Sequence, residues 1–381
     1  MTEMIVVAGD AVLRIHAGCF CLGTLHRLWD EALFLPWTTM KTPPSVNERS
    51  QTRVAALFSI RALALLAIGA MLGRGGPKLI ASEPAPPTQE QEIATARHGM
   101  QLLMDGKIDE AIQVFCHIEQ ADPASPLGYV LEADANWWRI YLTEGNLTDP
   151  DVFESLSEAI TPYDREFQRL DTLAIQKAEA QIRSHRDQAR ARLYEGVAEA
   201  LQARLEALRD HALGTARAGK RMRSLSLTAV RLDPALYDAY LGVGIYNYFE
   251  ATLPGYVRML RFLMRLPGGN RELGLEQLQM AADKGEITRE EAQFHLGKNF
   301  SRTNERQYTR SIEIFRTMMH NHPDNPLWKL LVGGLEIRTG HSEEGEALYR
   351  EVVKETEFDK SEVWKPLHQQ AQKALERRSG Q

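Results

Sequence analysis

The stretch that decides the fold runs from Glu291 to Asn325 and reads EAQFHLGKNFSRTNERQYTRSIEIFRTMMHNHPDN. Its apolar residues recur every three or four positions, and the chain keeps this spacing from Gln89 onward with almost no strand-like alternation. Such spacing is typical of amphipathic helices. Pro323 falls where a proline ends a helix and sets a turn. The region beyond Gln89 is therefore predicted to form one helix after another.

A spacing of small residue, aromatic residue and closing proline recurs along this region. It occurs as Ala111-x3-Phe115-x7-Pro123, as Ser311-x3-Phe315-x7-Pro323 and, without the proline, as Gly345-x3-Tyr349. The step from Phe315 to Tyr349 is 34 residues, which is the period of the tetratricopeptide repeat, a helix-turn-helix unit. A small residue lets two helices approach closely, and an aromatic residue fills the space between repeats. The period therefore predicts stacked helix pairs of this type.

The first helix of each pair should carry a small residue of its own, twelve positions before that of the second helix. The separations are twelve, twelve, fourteen and thirty-two residues for Gly99 to Ala111, Gly333 to Gly345, Gly297 to Ser311 and Gly242 to Gly274. The longest of them indicates an insert at about 252–270.

We therefore predict an all-α fold, a tetratricopeptide-like α-solenoid of about six helix-turn-helix units with a C-terminal capping helix. The units are placed at 90–122, 126–185, 188–232, 235–285, 287–322 and 325–357, and the capping helix at 361–378. No unit could bury its apolar side alone, so stacking on neighbours must supply the core. The helical-repeat domain is predicted to span 90–378.

The N-terminal part carries an apolar segment at 54–72, VAALFSIRALALLAIGAML, preceded by Arg49 and Arg53. Its uncharged part, Ala62 to Leu72, has the length of a signal-peptide apolar region. If Arg61 is tolerated, the whole segment could instead span a bilayer as a signal anchor. The protein is thus expected to be exported to the periplasm or cell envelope after cleavage, or anchored by 54–72.

A signal segment normally lies at the extreme N-terminus, whereas this one follows an extension at 1–53. Translation from Met40 would place Lys41 and the two arginines in a positive N-terminal region. Residues 1–39 are then an upstream stretch that the cell does not translate. The Gly- and Pro-rich linker at 73–89 cannot continue a helix, and cleavage is expected after Ala81.

The region from Asp233 to Asn325 resembles a known family. The similarity lies in DAYLGVGIYNYF at 238–249, Leu253-Pro254, LPGGNRELGL at 266–275 and EAQFHL at 291–296. In this order they resemble the bacterial relatives of the family of tetratricopeptide repeat protein 39 and the fungal inclusion-body-clearance proteins. The resemblance implies an α-helical repeat protein that is associated with membranes or organelles and acts through protein contacts. The family has no known catalytic residues, so the resemblance assigns no functional residue to this chain.

Solenoids of this kind bind peptides along the concave surface that their first helices form. Positions five residues beyond the small residues, and their neighbours, are expected to face that groove. The candidate partner-binding residues are Tyr246, Asn247, Lys298, Arg302 and Arg338. Basic and amide groups there suit a carboxylate or an acidic segment.

The insert offers a second candidate surface. Between Leu253 and Leu266, Arg258, Arg261 and Arg265 would form one basic stripe on a helix whose remaining surface is apolar. The functional interpretation is contact with a membrane surface or a partner. The alternative is an inserted helix packed on the solenoid with its arginines in solvent.

Composition narrows the function classes. A net charge of -6 and a pI near 6.0 argue against nucleic acid as a partner. The three cysteines provide no disulfide framework, and Cys19 and Cys21 fit no standard zinc spacing. No phosphate-binding, metalloprotease or serine-hydrolase motif occurs. We therefore expect a non-catalytic scaffold that binds a protein or peptide, without cofactor or metal. Membrane association through 54–72 or 253–266 is the main alternative, and an unmarked enzyme is a third.

Overall fold

The computed structural model describes residues 4–8, 11–15, 87–143, 146–149, 160–253, 267–357 and 362–379. The chain divides into two compact units, Met1–Ala81 and Ser82–Gln381. The apolar segment 54–72, the alternative start at Met40, the expected cleavage point after Ala81 and most of the linker 73–89 lie outside the described residues.

In the first unit, the described residues form an antiparallel hairpin of two strands. Strand β1 is Met4–Ala8 and strand β2 is Ala11–Ile15, with Val6 opposite Leu13. Both strands are rich in β-branched residues, which favour strands. The sequence predicts no regular element at 1–53, so these strands are an addition to the predicted all-α fold.

In the second unit, all regular elements of the described residues are helices. They are α1 (Gln89–Met104), α2 (Ile108–Ala121), α3 (Leu127–Thr143), α4 (Asp164–Arg183), α5 (Gln188–Leu208), α6 (Ala212–Leu232), α7 (Ala239–Thr252), α8 (Arg271–Lys284), α9 (Arg289–Ser301), α10 (Tyr308–Asn321), α11 (Pro326–Thr339), α12 (Ser342–Thr356) and α13 (Lys365–Ser379). The first twelve fall two by two in the six predicted ranges, to within one residue. Helix α13 corresponds to the predicted capping helix.

Local sequence explains several of these bounds. Thr88 and Gln91 form a reciprocal capping box at the start of α1. Asn325 caps α11 by accepting a hydrogen bond from the Leu327 amide, and Pro326 occupies the first turn. Gly340 ends the same helix with a φ of 96°, a left-handed conformation that favours glycine. These are short-range effects, which is why the sequence could predict them.

Each helix packs on the next one along the chain, as a solenoid requires, and α1, α3, α5 and α7 also contact one another in order. The predicted small and aromatic positions meet in three pairs. A Cβ on Gly297 would lie 2.6 Å from the Phe315 ring, and one on Gly333 would lie 2.9 Å from the Tyr349 ring. Gly99 stands in the same relation to Phe115.

The first and last helix pairs also touch. The carbonyl oxygen of Met104, at the end of α1, accepts hydrogen bonds from Asn325 Nδ2 at 2.8 Å and Trp328 Nε1 at 3.1 Å. His322 Nδ1 lies 2.7 Å from Asp105 Oδ1. The capping helix α13 contacts both α11 and α3. The arrangement of the second unit is therefore closed end to end.

Closure fills the inner side of the unit with aromatic side chains. Trp138 of α3 lies 5.1 Å from Phe294 of α9 and 6.4 Å from Trp328 of α11, measured between ring centroids. Nearly all residues of α3 and α9 are buried, as expected of a helix surrounded by protein. The sequence predicted an open concave groove, but between α3, α9 and α11 the described side chains occupy that space.

Candidate functional site

Lys298, one of the predicted groove residues, lies inside the molecule. Its side chain is 2% exposed, and its Nζ donates hydrogen bonds to the carbonyl oxygens of Leu147 at 3.0 Å and Asp149 at 3.3 Å. Both acceptors belong to the connection between α3 and α4. Lys298 was predicted to lie near an open groove, whereas its ammonium group is buried and binds backbone carbonyl groups of its own chain.

The segment Asn146–Asp149 is held on the inner side by three helices. The Leu147 side chain is buried, and its amide donates to Gln370 Oε1 of α13 at 3.0 Å. Thr148 lies against Gly334 of α11, where a Cβ would stand 3.5 Å from the threonine Cβ. With Lys298 of α9, these contacts form a small docking site, which we name the inner site: Lys298, Gly334 and Gln370.

Tyr246 and Asn247 lie elsewhere, at the base of the insert. The Tyr246 hydroxyl donates to the Pro267 carbonyl oxygen at 2.8 Å, and Asn247 Nδ2 donates to Gln277 Oε1 at 2.7 Å. Gly269 packs so tightly on α7 that a Cβ would collide with the Asn247 carbonyl oxygen. Both residues are buried. They hold the returning end of the insert on α7, which corrects their predicted placement on an open groove.

Arg302 and Arg338 lie closer to the surface than the other three candidates. The Arg302 guanidinium is half-buried and lies 5.4 Å from the centre of the Phe249 ring. Arg338 is exposed and lies 5.8 Å from the centre of the Tyr308 ring. The five predicted partner-binding residues therefore do not form one surface. The insert arginines Arg258, Arg261 and Arg265 lie outside the described residues.

Sequence reasoning missed a buried charge cluster between α3, α5 and α9. Arg204 Nη1 binds Glu291 Oε1 and lies 4.0 Å from Asp134 Oδ1. The Arg204 guanidinium also lies 3.3 Å from the centre of the Trp137 ring, a cation–π contact. The sequence did contain a signal for this cluster, namely charged residues on helices that are otherwise apolar. Charged residues are almost never fully buried unless they are paired, so two such helices in contact predict an ion pair.

Burial sets the charge states in this cluster. Desolvation raises the pKa of Asp134 well above its usual value, with repulsion from Glu291 adding to it. Desolvation also lowers the pKa of His295 well below its usual value. The cluster thus favours a neutral Asp134 and a neutral His295 beside the ion pair of Arg204 and Glu291.

Two small cavities adjoin the cluster, and both are lined by Asp238 and Glu291. Each has a volume of about 20 Å³, which is room for about one water molecule. Asp134 Oδ1 and Asp238 Oδ2 have no hydrogen-bond partner among the described residues, so a water in the first cavity could donate to them. Neither cavity could admit an organic substrate.

Asp238 has a structural role on its other oxygen. Asp238 Oδ1 accepts hydrogen bonds from the amides of Ile287 and Thr288 and from the Thr288 hydroxyl, each at 2.9 Å. These bonds tie the start of α7 to the start of α9 and so help position Glu291 and His295 in the cluster.

Within the described ranges, no group of three or more histidine, cysteine, aspartate or glutamate side chains is arranged to hold a metal ion. In the same ranges, no helix combines the length and the apolar character needed to cross a bilayer.

No protein-family model matches the chain, and no curated protein matches it.

Proposed function

We propose that the chain is a tetratricopeptide-type module of about six repeats that binds a protein partner and catalyses no reaction. The observation that carries this proposal is the recurrent contact of Gly99, Gly297 and Gly333 with an aromatic ring of the following helix. A small residue against an aromatic one recurs in three helix pairs, with a step of 34 residues from Phe315 to Tyr349, and this packing is typical of such repeats. Repeat solenoids of this type use their extended surfaces for binding.

The inner side supports binding over catalysis. Among the described residues, the charge cluster there is buried, and the two cavities beside it each have room for about one water molecule. An enzyme needs a cavity that takes its substrate together with the reacting groups. We also propose that the module acts at the cell envelope, because the apolar segment 54–72 is typical of a signal peptide or a signal anchor.

The partner surface can be tested at Arg338, the most exposed of the five candidate partner-binding residues. A photoreactive amino acid at position 338 should crosslink the partner in the native host, and the purified partner should then bind the purified chain. Arg338→Glu should weaken that binding by about tenfold or more, because a rim charge pairs with an opposite one. The matched control is Arg350→Glu on α12, since Arg350 is also exposed and basic.

Binding that is unchanged by Arg338→Glu would remove this residue from the partner surface. Failure of every crosslinked protein to bind in purified form, or turnover of a substrate by the purified chain, would contradict the proposed function itself.

A further inference from the structure

We propose that the inner site is a docking site for a short acidic partner segment with one leucine, and that Asn146–Asp149 occupies it as an internal substitute. This inference rests on the proposed function and names the class of partner and its regulation. It predicts that the chain's own segment must leave before a partner can bind.

The contacts that hold the segment are ones that another peptide could make. The Leu147 amide donates to Gln370, and the Leu147 and Asp149 carbonyl oxygens accept from Lys298. All three groups belong to the backbone, which every peptide shares. Selectivity then comes from the single buried side chain, Leu147, which is 1% exposed. A partner therefore needs a leucine-sized side chain with carbonyl groups at that residue and two residues later.

The segment belongs to an unusually long connection, and this length indicates a role beyond joining two helices. The connection between α3 and α4 runs from 144 to 163, whereas α1 and α2, or α5 and α6, are joined by three residues each. Connections in compact domains have about four to six residues, and much longer ones usually carry a function. This long connection reaches from the second helix pair to the fifth and sixth pairs and the capping helix.

The charge of the segment defines the class of partner. Residues 144–151 read EGNLTDPD and include Glu144, Asp149 and Asp151 but no basic residue. Of the two side chains that bond to this segment, Gln370 is neutral and Lys298 carries a positive charge, which is placed against the Leu147 and Asp149 carbonyl oxygens. A segment with a central leucine therefore supplies the apolar anchor, and acidic residues around it suit the buried positive charge of Lys298.

Tethering explains how such a site would be regulated. A segment linked to its own binding site competes at a roughly millimolar effective concentration. A free peptide of the same sequence must overcome this competition, so the wild-type chain should bind it weakly. Any event that withdraws the segment would open the site without a change in its residues.

The test uses the full chain and a fluorescein-labelled peptide of the sequence EGNLTDPD, with binding followed by fluorescence anisotropy. Leu147→Asp should release the internal segment while leaving the inner site intact. We expect this variant to bind the peptide at least about tenfold more tightly than the wild type, a difference of about 1.4 kcal/mol. Adding Lys298→Met should reverse the gain, and a peptide with aspartate in place of leucine should not bind.

Circular dichroism and thermal melting check that the variants are folded, and Leu147→Ala serves as a milder variant if Leu147→Asp is not. A folded variant that binds the peptide no better than the wild type overturns the inference. Peptide binding that appears only in a dimer with exchanged segments also overturns it, because a second copy is then the occupant. Either result leaves the proposed function standing if crosslinking from position 338 still yields a partner.

Discussion

At Gly297 the helix carries no side chain because the Phe315 ring fills the place where a Cβ would be. The ring is itself buried between helices, so it has little room to move aside. The same reasoning does not apply to every helical glycine. Gly219, within α6, has open space where its Cβ would lie. Replacing these two helical glycines with alanine should therefore have opposite effects on stability.

Gly297→Ala should lower the free energy of unfolding by about 1–3 kcal/mol, as overpacking of a core does. Gly219→Ala should raise it by about 0.5–1 kcal/mol, because alanine loses less conformational freedom in a helix. Urea unfolding followed by circular dichroism measures both changes. A stabilising effect at Gly297 would show that Phe315 can shift, which the proposed repeat packing does not allow.

Asp171 on α4 is a second residue whose environment determines its chemistry. It is buried, and desolvation with repulsion from Glu199 raises its pKa to about 8, against the opposing attraction of Arg221. The native state therefore holds this proton more tightly than the unfolded chain does. The contribution of protonated Asp171 to stability is fully present below about pH 4 and is lost as the pH rises towards 8.

Asp171→Asn should remove this pH dependence. We expect the variant and the wild type to have similar stability near pH 4, and the variant to be the more stable of the two at pH 8. The difference should grow by about 1.4 kcal/mol for each pKa unit crossed. Denaturant unfolding at several pH values measures it. A constant difference across this range would mean that Asp171 titrates near its ordinary pKa.

At the scale of elements, the insert after α7 is fixed where it returns to the solenoid. The hydrogen bond from Tyr246 to Pro267 and the close packing of Gly269 hold that end on α7. A segment with a firmly held base can present its own residues to a membrane or a partner. The three insert arginines are the groups through which the membrane alternative can be tested.

Residues 82–381 should pellet with anionic liposomes if the insert binds membranes, and replacing Arg258, Arg261 and Arg265 with glutamine should abolish this. The matched control replaces Arg217, Lys220 and Arg231, which are exposed on α6, and should leave pelleting unchanged. Each basic residue near an anionic surface contributes about 1 kcal/mol. No pelleting of the unmodified protein, or equal loss in both variants, would eliminate membrane binding through the insert at 253–266.

At the scale of the whole molecule, the second unit departs from a simple solenoid. In an open solenoid, stability is nearly a sum of terms between neighbouring repeats. Here the end of α1 is bonded to the start of α11, with Asn325 and Trp328 both donating to Met104. The first helix pair should therefore depend on the sixth.

Asn325→Asp tests this dependence. Aspartate keeps the oxygen that caps α11 but loses the donor to the Met104 carbonyl and faces it with a carboxylate. We expect a loss of about 1–3 kcal/mol in stability and faster hydrogen exchange of the amides at the end of α1. Asn270→Asp is the control, because Asn270 caps α8 at an exposed position. Unchanged exchange in α1 would indicate that the ends are energetically independent.

The helices and their order could be predicted from sequence because their determinants are local. Apolar spacing, capping residues and prolines act within about one helix pair, and the glycine and aromatic positions lie within two adjacent helices. The inner side could not be predicted in the same way. The charge cluster joins Asp134, Arg204 and Glu291 from three helices that no sequence spacing relates.

The sequence alone thus determined that residues beyond Gln89 form consecutive helices with a long insert, because helix spacing, caps and prolines act locally. The contacts of Lys298, in contrast, follow from the tertiary structure. Its partner Leu147 is 151 residues away, and that meeting depends on how the helix pairs curve and close. Small rotations between stacked pairs add up along the chain, so closure is a property of the whole stack and is not encoded in any one unit.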